Sequence, residues 1–171
     1  MYPKYIKLIL ATLTLFYSIF QFSENNIGNG IVLIFLMIIF IFLYFKNEII
    51  LLAFLRLRKQ DFDGTEKWLN KIKNPESALT KKQVGYYNYL RGIISSQTNL
   101  TIAEKFFKKA IAIGLSMNHD LAMAKLSLAG ILIQKRRKRE ATTLLNEAKK
   151  IDKQKMLSDQ IKMMQQQMKR I

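Results

Sequence analysis

The hydrophobic pattern changes character once, near residue 46. Before it, residues 8–22 (LILATLTLFYSIFQF) run without a charge for fifteen positions, and residues 25–45 for twenty-one, with IVLIFLMIIFIFLYF at their heart. Between them lies QFSENNIGNG, where Gly28 and Asn29-Gly30 tolerate positive φ and predict a turn. Two apolar helices in a membrane hairpin follow from this pattern. The first is short: fifteen residues at 1.5 Å each cover about 22 Å of a hydrocarbon core roughly 30 Å thick. Lys7 is therefore expected to snorkel, and Tyr2, Tyr5 and Ile6 to extend the apolar band toward the interface. Two rival readings are weaker. A cleaved secretory leader needs small residues at its cleavage point, and Phe20, Gln21 and Phe22 do not supply them. A buried core hairpin would need a larger soluble body to cover it than the remaining chain makes.

After residue 46 the apolar positions take helical spacing. Residues 85–110 read as two amphipathic helices joined by a tight polar turn, and the arrangement recurs on either side. The second helix carries Ala103, Phe107 and Ala110. Moved back by 38 residues, these positions are Thr65, Leu69 and Ile72; moved forward by 38, they are Ala141, Leu145 and Ala148. The first helices agree less tightly, with Ala53, Gly92 and Ala129 as small residues that let a neighbour approach, and Leu52, Leu90 and Leu128 expected to fill space beside them. Three helical hairpins in residues 47–153 are predicted, entered directly from the second apolar helix at residues 47–57 without a Gly-, Ser- or Pro-rich spacer.

These features resemble the tetratricopeptide repeat, carried best by Leu128, Ala129, Leu132, Ala141, Leu145 and Ala148. The central unit lacks one residue in its turn, between Ser96 and Asn99. In the first, Thr65 stands where Ala is usual and Arg56 where an aromatic is usual. The step exceeds the family's usual length of about 34, and residues 74–82 and 114–120 are expected to absorb the excess. The resemblance implies an all-α chain: a transmembrane hairpin (1–46), an α-solenoid of about three repeats (47–153) and a capping helix (154–171). It also implies a binding scaffold with no shared ligand. By resemblance Tyr86, Tyr89, Ile93, Met123 and Leu126 line its concave groove, with Tyr offering area and a hydroxyl. Ordinary packing between repeats is the competing reading for each Tyr, and core packing is the reading for Trp68.

Charge refines the picture. The formal net charge is +16. Lys4 and Lys7 supply two of the 28 basic groups and Glu24 one of the 12 acidic ones, leaving 26 against 11, or +15, after residue 45. Part of this excess reflects a Lys-rich, AT-biased composition. Five adjacent cations, Lys135, Arg136, Arg137, Lys138 and Arg139, fall in the turn of the third hairpin and are not expected to serve packing. They suit anionic lipid heads or the phosphate backbone of RNA, including ribosomal RNA, or are simply a solvated turn. Lys4 and Lys7 before the first span, and Lys46, Arg56, Arg58 and Lys59 after the second, place both termini on the cytoplasmic side of a bacterial-type inner membrane.

Residues 154–171 form a last helix with Leu157, Ile161, Met164, Met168 and Ile171 along one seam. It is read as a solenoid cap, with a seam for a partner helix or a second copy as the alternative. Thr101 reads as a helix N-cap and Asp61–Asp63 as a hairpin entry. His119 stands alone, and without Cys there is neither disulfide nor thiolate site. No phosphate loop, nucleophile elbow or His-based dyad is present, so no enzyme and no cofactor is expected. The expected function is a membrane-anchored adaptor for a protein partner. The alternatives are a basic platform for ribosome, RNA or anionic lipid, and a homo-oligomeric assembly factor.

Overall fold

A computed structural model describes residues 4–45 and 47–169, so Tyr2, Lys46 and Ile171 lie outside the described residues. Ten helices follow in order: α1 (Lys4–Ser23), α2 (Ile27–Phe45), α3 (Glu48–Arg58), α4 (Phe62–Asn70), α5 (Pro75–Ala78), α6 (Lys81–Ser95), α7 (Leu100–Ile113), α8 (Asn118–Gln134), α9 (Lys138–Ile151) and α10 (Ser158–Lys169). There is no strand among the described residues. The chain divides into two compact units, Met1–Gln83 and Val84–Ile171. The division falls within α6, so the first predicted repeat, α3 and α4, clusters with the apolar hairpin.

In the first unit α1 and α2 pack along their length. Helix α1 continues through Lys7 and has 20 residues, which span about 30 Å and remove the shortfall expected from the uncharged run. Both helices are long and apolar enough to cross a membrane, and only 17% and 6% of their apolar windows are buried. The turn differs from expectation. Asn25 takes the left-handed conformation at φ 60°, while Gly28 and Gly30 are helical. Gly30 serves close approach instead: a Cβ there would lie 2.7 Å from the Phe22 ring. Beside it the buried Ser18 hydroxyl donates to the Gly30 carbonyl at 2.9 Å. Small residues at this contact let the two apolar helices approach closely.

The nine positions of the 38-residue register are all buried, none more than 3% exposed: Thr65, Leu69 and Ile72; Ala103, Phe107 and Ala110; Ala141, Leu145 and Ala148. Ala53, Gly92 and Ala129 on the preceding helices are buried too. Thr65 shows why a hydroxyl is tolerated where Ala is usual. Its Oγ1 donates to Asp61 O at 2.6 Å and lies 3.4 Å from Ala53 O, so nothing polar is stranded. Arg56, standing in place of an aromatic, reaches the Asp61 carboxylate at 3.1 Å across the turn. At Gly92 an added Cβ would meet the Phe107 ring at 3.0 Å. Leu52 departs from expectation: Leu90 and Leu128 are buried beside their small residues, whereas Leu52 is 36% exposed.

Turn chemistry sets the remaining boundaries. Asn47 caps α3 by accepting from Ile49 and Ile50 N–H, and Asp61 caps α4 through Gly64 N–H. That Gly64 bond, with Arg56 nearby, lowers the Asp61 pKa. Asn99, not Thr101, caps α7, accepting from Thr101 and Ile102 N–H at 2.9 and 3.1 Å. Residues 74–82 are no plain linker: Pro75 starts the short α5 and α6 begins at Lys81. In the second unit α8 packs against α7, α9 and α10. Ile161 and Met168 of α10 are buried, as is Leu157 just before the helix, and Met164 reaches within 3.4 Å of a Cβ position at Gly130.

Phe107→Ala is expected to cost about 3–5 kcal/mol, because a fully buried ring leaves a cavity. Phe106→Ala, at a half-buried neighbour, should cost less than half as much. Denaturant titration of each variant in detergent measures both.

Candidate functional site

The basic turn is built on a buried acid. Glu104 on α7 is 7% exposed. Its Oε1 accepts from Arg137 Nη1 at 2.6 Å and from Lys108 at 2.7 Å, and its Oε2 from Lys135 at 2.8 Å. These three cations, Lys108 first, bring its carboxyl down from the ordinary 4.5 to about 2. Arg137 also forks onto both oxygens of Glu140, at 2.6 and 2.7 Å, and its pKa rises through Glu140 and Glu104. Arg136 makes the turn at φ 59°. Lys135 and Arg137 therefore do serve packing, contrary to the expectation for all five cations. Arg136, Lys138 and Arg139 are the exposed members of the run.

Lys138 and Arg139 open α9 and face an open groove of about 610 Å³ against α10. Its far wall carries Lys162, Gln165, Gln166 and Lys169, and Met168 and Thr142 also line it. A second groove of about 470 Å³ shares Lys162 and Gln165 and adds Lys149, Lys153 and Lys155. Among the described residues seven cations border the two grooves. The acid among the linings, Asp152, is buried and holds the Met156 and Leu157 N–H groups. The run at 135–139 gave only one wall. The other is Lys162, Gln165, Gln166 and Lys169, spaced i, i+3, i+4, i+7 on one helical face, a Gln and Lys face readable in the sequence but without a role until α9 is seen beside it.

The five aromatic-groove candidates do not form one exposed surface. Tyr86 is buried; its hydroxyl donates to Asp120 Oδ2 at 2.7 Å and accepts from Met117 N–H at 3.3 Å. Tyr89 is buried edge-on to Phe107, with ring centroids 6.1 Å apart. Burial, and then the nearby Asp120 charge, raise both phenols to about 12. Leu126 is buried and Met123 half-buried, while Ile93 lines a cleft of about 270 Å³ with Ser96, Phe107, Gly130 and Gln134. Tyr86 and Tyr89 are core side chains of the second unit. Trp68 is only half-buried, with Lys71 Nζ 3.5 Å above its ring. His119 is half-buried with Nδ1 unpartnered, and among the described residues no group of three His, Cys, Asp or Glu could hold a metal.

In the first unit one cation marks the end of the apolar hairpin. Lys7 on α1 pairs with Glu48, the first residue of α3, and donates to the Leu43 carbonyl of α2 at 3.2 Å. Gln83 donates to the Tyr44 carbonyl at 2.9 Å, and its side-chain oxygen accepts from Thr80 N–H. No protein-family model matches the chain, and comparison with curated proteins and with solved structures gave no match.

Glu104→Gln should lower stability near neutral pH by about 1.5–3 kcal/mol, the range for hydrogen bonds to charged groups. The folded pKa of Glu104 is depressed, so its contribution is present above about 4.5 and lost as pH falls toward about 2. Acid unfolding of the wild type should steepen in that window. The variant should lose that component, which circular dichroism across a pH series measures.

Proposed function

We propose that this chain is a membrane-anchored adaptor: a two-helix span carries an array of tetratricopeptide-like hairpins that holds a protein partner on the cytoplasmic side. The observation that carries the reading is the recurrence of one buried triad, on α7, on α9 and along α4 with its third member Ile72 just past the helix end, each behind a small residue on a preceding helix, in a chain that also carries an apolar hairpin. Hairpins repeated in this way serve as binding surfaces rather than catalytic ones. The low burial of α1 and α2 supports a bilayer as their solvent, and the bias of basic residues supports cytoplasmic termini. Residues packed in α10 support its role as the cap of the array rather than a seam for a second copy. A phosphatase reporter active only outside the cytoplasm, fused after residue 171, should be silent, while the same reporter placed at Asn26 should be active. The reverse pattern would overturn the orientation.

A second reading is favoured by where the free charge lies. With Tyr86 and Tyr89 in the core, the exposed candidate surface is the cationic pair of grooves along α9 and α10, which suits RNA phosphate or anionic lipid. Phosphate neutralised at four cations would make affinity fall by roughly 10²-fold between 50 and 200 mM salt. The variant Lys138→Glu/Lys162→Glu/Lys169→Glu should abolish co-purification of the partner from membranes under either reading. Retention of partner by this variant removes the grooves from the account. A partner lost to the variant but insensitive to salt and to nuclease favours the protein-adaptor reading.

A further inference from the structure

Helix α3 has two unlike faces. Ile50 and Ala53 are buried, at 6% and 0% exposure. On the other side Leu51, Leu52 and Leu55 are exposed at 45%, 36% and 48%. At 3.6 residues per turn these three leucines share a face, and Arg58 and Lys59 continue it one turn farther on. Both cations are exposed. The face therefore runs from apolar to basic along the chain, and the leucines sit at the end nearest α2.

Three features say what covers it. The helix opens directly after the apolar α2, with Asn47 as its cap. Its first residue, Glu48, pairs with Lys7, which also holds the Leu43 carbonyl in the last turn of α2. The start of α3 is thereby fixed at the level where both apolar helices end, and the acid at that level is matched by a cation. Finally, leucines followed by Arg and Lys on one face match the boundary between acyl chains and phosphate heads, where long basic side chains reach outward over an apolar bed. A partner protein would impose no such order along the face.

We infer that α3 is an interfacial helix whose Leu51, Leu52 and Leu55 face is seated in the bilayer that α1 and α2 cross. The inference rests on the membrane reading of those two helices. The leucines enter the zone where acyl chains meet headgroups, about 5–10 Å deep for helices of this kind, and Arg58 and Lys59 face lipid phosphate. The first hairpin of the array is then held flat on the membrane by its own side chains, in addition to the covalent link to α2.

The chain has no Cys, so full-length Leu55→Cys, Phe35→Cys and Lys73→Cys variants each carry one environment-sensitive fluorophore. All three positions are exposed. Each labelled protein is reconstituted in vesicles of phosphatidylcholine and phosphatidylglycerol brominated either high or low on the acyl chain. The label at Leu55 should be quenched more by shallow than by deep bromine, the label at Phe35 more by deep, and the label at Lys73 by neither while aqueous iodide quenches it. If Leu55 behaves as Lys73 while Phe35 is quenched, the inference fails and the two spans stand. If Phe35 also escapes bromine, the membrane reading fails and takes this one with it. A Leu55 label shielded from both bromine and iodide marks a protein cover, another chain or a second copy, and likewise overturns the inference.

Discussion

Close approach between helices is the constraint on which this chain depends. At Gly30 a methyl group would collide with the Phe22 ring, and at Gly92 it would crowd Phe107. Thr65 sits against the Ala53 carbonyl with no exposed surface. Each contact trades a side chain on one helix for depth on the other, so a single large residue such as Phe107 or Leu69 can fill the space between neighbours. The same device operates between the apolar helices and between the amphipathic ones. In the first case Gly30 makes room for the Phe22 ring, and in the second Ala53, Gly92 and Ala129 each let the following helix approach and bury its large residue.

Much of the fold was legible for this reason. Small and large positions recurring every 38 residues can be read without coordinates, and all nine are buried. The apolar helices were equally plain, though the end of α1 was not, because a lysine inside a helix looks like a terminus until its partner is known. Lys7 finds Glu48 and a carbonyl 36 residues away. Leu52 resisted prediction for a related reason. A leucine beside a small residue reads as core, and only the rotation of α3 about its axis decides which side it takes.

The candidate site was less legible, and the cause is the distance in sequence between partners. Tyr86 and Tyr89 looked like a binding surface because Tyr is ambivalent, and Asp120, 34 residues on from Tyr86, supplies the hydroxyl with a partner inside the second unit. Likewise 135–139 looked uniformly free because Glu104 lies a full hairpin earlier. The opposite wall on α10 was visible as a face but carried no label until α9 was seen beside it. Long-range pairing, not local propensity, separates structural charge from available charge in this protein.

That separation governs how the turn between α8 and α9 tolerates change. Arg136, Lys138 and Arg139 are free to drift among Lys, Gln and Asn with little penalty to folding. Lys135 and Arg137 are yoked to the acid beneath them, and Glu104 without them keeps only Lys108 as its cation partner. Relatives of this chain should therefore exchange Lys135, Arg137 and Glu104 together, as a set, while Arg136 between them varies independently.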